Sequence, residues 1–123
     1  MNQKYTIQKS PFIVPTTDGK LIEEHFGRVA TQEKNISIAH MIAPAHWIEP
    51  MQVPEFDEYT YIIRGKKQFT IDGEIIILTA GQSIKIAKNV PVQYANPFYE
   101  ECEYIAICVP AFDVELAHRS TEE

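Results

Sequence analysis

The breakers restrict this fold more than any other feature. Eight prolines and five glycines cut the chain into short segments, and wherever a segment carries a pattern its period is two. In Asn35 to Ala43, Ile36, Ile38, His40 and Ile42 alternate with Ser37, Ala39, Met41 and Ala43. Phe69 and Ile71 alternate with Gln68 and Thr70 in the same way. A helix needs an apolar repeat near 3.6, so these segments are strands.

Read in order, Tyr5 to Val14 gives two short extended pieces around Pro11, and Thr17-Asp18-Gly19-Lys20 turns the chain. Lys20 to Ala30 and Asn35 to Ala43 read as strands. From Pro44 to Pro54 three prolines exclude a helix and predict an ordered, irregular crossing. It carries His46, Trp47, Glu49 and Gln52, a density of polar and aromatic side chains that suits the mouth of a binding site. Strands follow at Glu58 to Ile63 and Lys67 to Ile71, then an Asp72-Gly73 hairpin and Glu74 to Leu78. Ser83 to Ala87, Val92 to Ala95 and Glu103 to Val109 complete the set. Phe112 to His118 is a short helix with Asp113 near its start, and Arg119 to Glu123 a polar tail.

At least eight short strands with almost no helix predict an all-β barrel or sandwich. Its 123 residues make a single domain, divided into N-terminal strands (1–34), a barrel (35–110) and a C-terminal helix and tail (111–123). No apolar run approaches the roughly 20 residues that span a bilayer, and the N-terminus lacks the apolar core of a leader, so a cytoplasmic protein is expected. A net charge of −6 with scattered basic residues argues against nucleic acid and anionic membranes as partners. Cys102 and Cys108, six apart on one face of one strand, read as buried, reduced thiols.

Glu58, six residues (Tyr-Thr-Tyr-Ile-Ile-Arg) and Gly65, followed by Gly81, Pro91 and Asn96, resemble the two motifs of the cupin superfamily, over roughly Ile36 to Val109. The resemblance implies a jelly-roll β-barrel with one open mouth, usually in a homodimer. Metal-holding members of that superfamily place histidines where this chain has Gln52 and Pro54, or Met51 and Val53, and again where it has Val92. Only Glu58 remains of that ligand set. No cofactor is therefore expected, the alternative being a divalent transition metal held by a rebuilt set of His40, Gln52 and Glu58.

Parity puts Glu58, Thr60 and Ile62 on one face of their strand and Tyr59, Tyr61 and Ile63 on the other. If the first set faces the lumen, as the resemblance implies, Glu58 is a carboxylate in a partly apolar cavity, a usable general acid or base. His40, on a face expected to look inward, would complete the pair. The alternative is a structural Glu58 that accepts from backbone amides or a tyrosine hydroxyl and pins the mouth. Gln52, His46, Trp47, Glu55 and Phe56 are the candidate ligand contacts, with Gln68 and Gln93 or Tyr94 by register, Tyr94 being the preferred one. The expected function is a small-molecule-binding barrel with metal-independent acid/base chemistry of an isomerase or epimerase kind. The alternatives are a metal-dependent enzyme with a non-standard ligand set and a non-catalytic sensor. The exposed Tyr59 and Tyr61 face predicts a homodimer.

Overall fold

A computed structural model describes residues 4–120, so the first three residues and the last three of the expected tail lie outside the described residues. Among the described residues ten strands form: β1 (Phe12–Ile13), β2 (Leu21–Phe26), β3 (Ser37–Ala43), β4 (Trp47–Ile48), β5 (Asp57–Arg64), β6 (Lys66–Ile71), β7 (Glu74–Thr79), β8 (Ser83–Ile86), β9 (Val92–Asn96) and β10 (Cys102–Val109). One helix, α1 (Val114–Ala117), follows. Every strand expected from Lys20 onward is present. Of the two N-terminal pieces only β1 forms a strand, and β4 adds a two-residue strand within the proline-rich crossing.

The strands make two antiparallel sheets, ordered β1-β2-β3-β10-β5-β8 and β4-β9-β6-β7. This is an all-β jelly-roll barrel with a short C-terminal helix. Between the sheets lies a core that includes Ile62, Phe69, Val92, Tyr94, Cys102 and Tyr104. Alternation along β10 is complete, with Cys102, Tyr104, Ala106 and Cys108 inward, so both thiols are buried and unpaired.

Turn chemistry fixes the register. Asp72 and Gly73 both have positive φ, at 49° and 86°, as a two-residue hairpin between β6 and β7 requires. Gly65, between β5 and β6, has φ of 82°, and a Cβ there would lie 2.3 Å from the Glu101 carbonyl oxygen, so only glycine fits. Asn96 is fully buried because its amide is used up: Nδ2 donates to the Ala43, Pro44 and Glu100 carbonyls, and Oδ1 accepts from the Phe98 amide. It ties the end of β9 to the end of β3.

Asp113 caps α1 by accepting from the Glu115 amide at 3.0 Å, and His118 ends the helix in the left-handed region. Beyond it Arg119 and Ser120 are held against the barrel. Arg119 pairs with Gln52 in an isolated bridge, and the Ser120 amide donates to the Met51 carbonyl at 2.8 Å. The C-terminal segment is a strap across the barrel mouth.

Candidate functional site

Under that strap the lumen holds a cavity of about 80 Å³, room for several waters or one small organic molecule. Glu58 enters it from β5, Tyr94 from β9, Lys67 from β6 and Cys108 from β10, with Phe56 and Gln52 near the mouth. Each arrives by strand parity, because alternate residues of a strand share a face.

Glu58 is the half-buried carboxylate of this wall. Its Oε1 accepts a short hydrogen bond from the Tyr94 hydroxyl, while its Oε2 has no bond partner among the described residues. Burial first, then the Glu58 charge and the bond to it, hold the Tyr94 phenol well above its ordinary 10.0. Tyr94 therefore keeps its proton and acts as a fixed donor. Burial and the Glu58 charge also push the Cys108 thiol up, so it is no nucleophile at neutral pH.

Three polar side chains close the outer end around Glu49. Lys20 Nζ lies 3.2 Å from Glu49 Oε2, Gln52 Nε2 donates to Glu49 Oε1 at 3.2 Å, and Arg119 Nη2 stands 3.6 Å from Glu49 Oε2. Burial alone would lower the Lys20 pKa; Tyr104 and the Glu49 charge more than offset that and raise it, so Lys20 stays an ammonium. Lys20, Glu49 and Arg119 also line a shallower recess of about 400 Å³ outside the cavity, with Asp18 and Phe112. The network thus stands between recess and lumen.

Lys67 is different. It is only 2% exposed, and its Nζ sits 3.5 Å from the Tyr104 ring centroid, 4.7 Å from that of Tyr94 and 5.2 Å from that of Phe69. Among the described residues no carboxylate lies within ion-pair distance of it.

Of the residues expected from sequence, Glu58, Gln52, Phe56 and Tyr94 meet at the cavity. Trp47 is buried beside it, its indole nitrogen donating to Asp18 Oδ2 at 2.7 Å and its ring 4.4 Å from Lys20 Nζ. His46 lies edge-on to Tyr99, away from the cavity, and Glu55 is exposed and bonded to His118. Gln68 and Gln93 are not on the wall; Gln93 Nε2 donates to the Glu49 carbonyl instead.

His40 corrects an expectation. Its parity is as read, but the direction is reversed: Ser37, Ala39 and Met41 line the lumen, and His40 faces outward between Glu23 and Glu103. The reason is packing. The lumen wall of β3, Ser37, Ala39 and Met41, packs beside Tyr104 and Cys108 of β10, while its isoleucines form an outer apolar face with Ile105 and Ile107 of β10. When both faces of a sheet are apolar, hydrophobicity gives the period and not the sign.

The rebuilt metal set fails on the same geometry. His40 does not converge with Gln52 and Glu58, Glu58 is engaged by Tyr94, and Gln52 is engaged by Glu49. No group of three or more His, Cys, Asp or Glu side chains among the described residues is arranged to hold a metal. Two buried lysines in the wall oppose a divalent cation further. The donor set does not fit.

Sequence reasoning missed Lys67, Lys20 and Tyr104. The signal for Lys67 was available, since it shares parity with Phe69 and Ile71. A lysine beside a turn glycine reads as a solvated residue unless that parity is followed.

Residues 40–108 match the family model described as Cupin domain. Endoribonuclease YbeY of Myxococcus xanthus is 38% identical over 109 residues, 89% of this chain, and the chain spans only 37% of that protein's length. An RmlC-like cupin from Shewanella frigidimarina superposes with a TM-score of 0.74 over 93% of this chain and 96% of its own, at 16% identity. A single-substitution variant of oxalate decarboxylase from Bacillus subtilis gives 0.75 over 96% of this chain and 34% of its own, at 17% identity. At such identities the two structures speak for the fold alone.

Proposed function

The chain belongs to the cupin domain family, and from that premise we propose that its lumen binds a small organic molecule and moves a proton on it without a metal, as in an isomerisation or epimerisation. One observation carries the reading: a carboxylate on the cavity wall with one oxygen held by a tyrosine that keeps its proton. Glu58 Oε2 takes a proton from a carbon next to a carbonyl and returns it. Tyr94 holds the carboxylate in orientation and shares its charge. Such positioned acid/base groups contribute about 10²–10⁴-fold in rate.

The test is proton exchange with solvent. Hydroxyacetone, glyceraldehyde and pyruvate are incubated with protein in deuterium oxide and followed by NMR. Exchange above the buffer rate that falls by about 10²–10⁴ in Glu58→Gln supports the reading. Equal exchange with both proteins, or none above buffer, rejects the catalytic role.

A second reading, a non-catalytic binding module, is favoured by the same bond seen otherwise: Tyr94 on β9 and Glu58 on β5 tie the two sheets together. A lumen ligand that co-purifies and leaves chemically unchanged would select it. The ribonuclease activity named for the Myxococcus relative draws no support from a chain of net charge −6 with scattered basic residues.

We propose also that the outer face of the larger sheet covers a second copy of the chain. Tyr59, Tyr61 and Ile63 are 40%, 48% and 39% exposed there, and β10 contributes Ile105 and Ile107 beside them. Sedimentation should give twice the 14.1 kDa chain mass, and Tyr61→Glu should halve it. The cytoplasm is the proposed compartment, in keeping with two buried, unpaired thiols. No helix among the described residues is long and apolar enough to cross a membrane.

A further inference from the structure

The two buried lysines of the lumen are not equivalent. Lys20 has its counter-ion in Glu49, at 3.2 Å. Lys67 has none among the described residues, although it is the more deeply buried of the two. Burying a charge without a partner is costly, and the three ring faces around its Nζ compensate only in part. Rings also leave the geometry of the ammonium unfinished. It has three N–H donors, and no carboxylate among the described residues lies within ion-pair distance to receive them. The side chain lines the cavity and is not sealed into the core. Tyr104, whose ring lies 3.5 Å from Lys67 Nζ, lines the same cavity. Lys67 is thus a buried cation on the cavity wall with no carboxylate of its own among the described residues.

We propose that Lys67 is the anion subsite of the lumen and that the ligand is a small carboxylate, its carboxylate group seated on Lys67 Nζ. This rests on the reading that the lumen is the binding site and names its ligand class. The ammonium supplies, from within the chain, the positive charge that orients a ligand oxygen. With the carboxylate on Lys67, the rest of the molecule lies in the cavity that Glu58 lines. Of the four carboxylates Glu49, Glu55, Asp57 and Glu58, Glu58 shares the cavity with Lys67 and is engaged by Tyr94, while the other three add little negative potential there. Glu55 is exposed at the rim, Asp57 is spent on the Lys88 amide, and Glu49 is neutralised by Lys20 and Arg119.

The experiment uses matched acid and amide pairs, acetate with acetamide and pyruvate with pyruvamide, titrated into the isotope-labelled full chain and followed by amide chemical shifts. The expected result is that the acids perturb Lys67, Phe69 and Tyr94 and bind more tightly than the amides. In Lys67→Met acid affinity should drop about 10- to 100-fold, as for loss of a charged hydrogen bond, with amide affinity little changed. Should that variant fail to fold, the acid-over-amide preference of the wild-type protein, localised to those three residues, still decides the matter. Acids and amides binding alike in the lumen, with Lys67→Met indifferent, would overturn the anion subsite and leave the lumen reading standing. Acid shifts confined to Asp18 and Val114, which line the outer recess and not the lumen, would overturn it as well, by placing the anion in that recess. No shift from any of the four compounds would overturn the carboxylate class, while the deuterium exchange of neutral hydroxyacetone tests the lumen reading separately.

Discussion

Glu58 and His40 stand on opposite faces of one six-stranded sheet, and the contrast between their surroundings separates reactivity from support. Outside, both ring nitrogens of His40 are taken, Nδ1 by Glu23 at 2.8 Å and Nε2 by Glu103 at 2.6 Å, and Glu103 is shared with Arg64 at 3.3 Å. Inside, Glu58 has one fixed donor and one open oxygen, and Lys67 has rings and no counter-ion among the described residues. The residue types are similar on both faces. What differs is how far each group is saturated by its neighbours, and whether water can reach it.

The comparison breaks most decisively under paired substitutions. Glu58→Gln should slow deuterium exchange by about 10²–10⁴-fold while His40→Gln leaves it at the wild-type rate. A His40→Gln variant that also lost exchange would mean the two faces are coupled. Next in size, Tyr94→Phe strips the half-buried Glu58 of its donor. Chemical denaturation should show a loss of about 1–3 kcal/mol, the usual cost of orphaning a buried polar group. An unchanged midpoint would show that Glu58 finds another partner.

The smallest effect is in pH and belongs to the outer face. Burial alone would lower the His40 pKa, but the bonds to Glu103 and Glu23 raise it above 6.5. Glu103 is lowered below 4.5, chiefly by the bond to His40. A raised histidine stabilises fully below its unfolded value and loses that contribution as pH climbs through the folded one; a depressed carboxylate does the reverse on acidification. The cluster therefore contributes most between about pH 4.5 and 6.5, and less above and below. The difference in Tm between wild type and His40→Gln, followed across pH, should peak in that window. A flat difference would remove the imidazole from the account.

How much of this was legible in the sequence depends on which physical signal carried it. Strand positions were, because proline, glycine and a period of two are local: Asp72-Gly73, Gly65 and the alternation of β3 and β10 all stand as read. Parity grouped the residues of β5, and its inward face was implied by the resemblance of Glu58 to Gly65 to the cupin motif. The sign of β3 was not legible, since Ile38 and Ile42 are as apolar outside as Ala39 and Ala43 are inside. Partners were hardest. That Tyr94 would reach Glu58 and that Arg119 would return to Gln52 are contacts between distant positions, set by how the sheets close and not by any local pattern.

Trp47 is the chain's single tryptophan, and it sits where the mouth network meets the core. Its indole is bonded to Asp18 and lies under the Lys20 ammonium that Glu49 holds in place. The molecule consequently carries its own optical reporter. Any ligand that draws Lys20 away from Glu49 on its way in changes the electric field across that one indole. Its emission would then record the passage without a label.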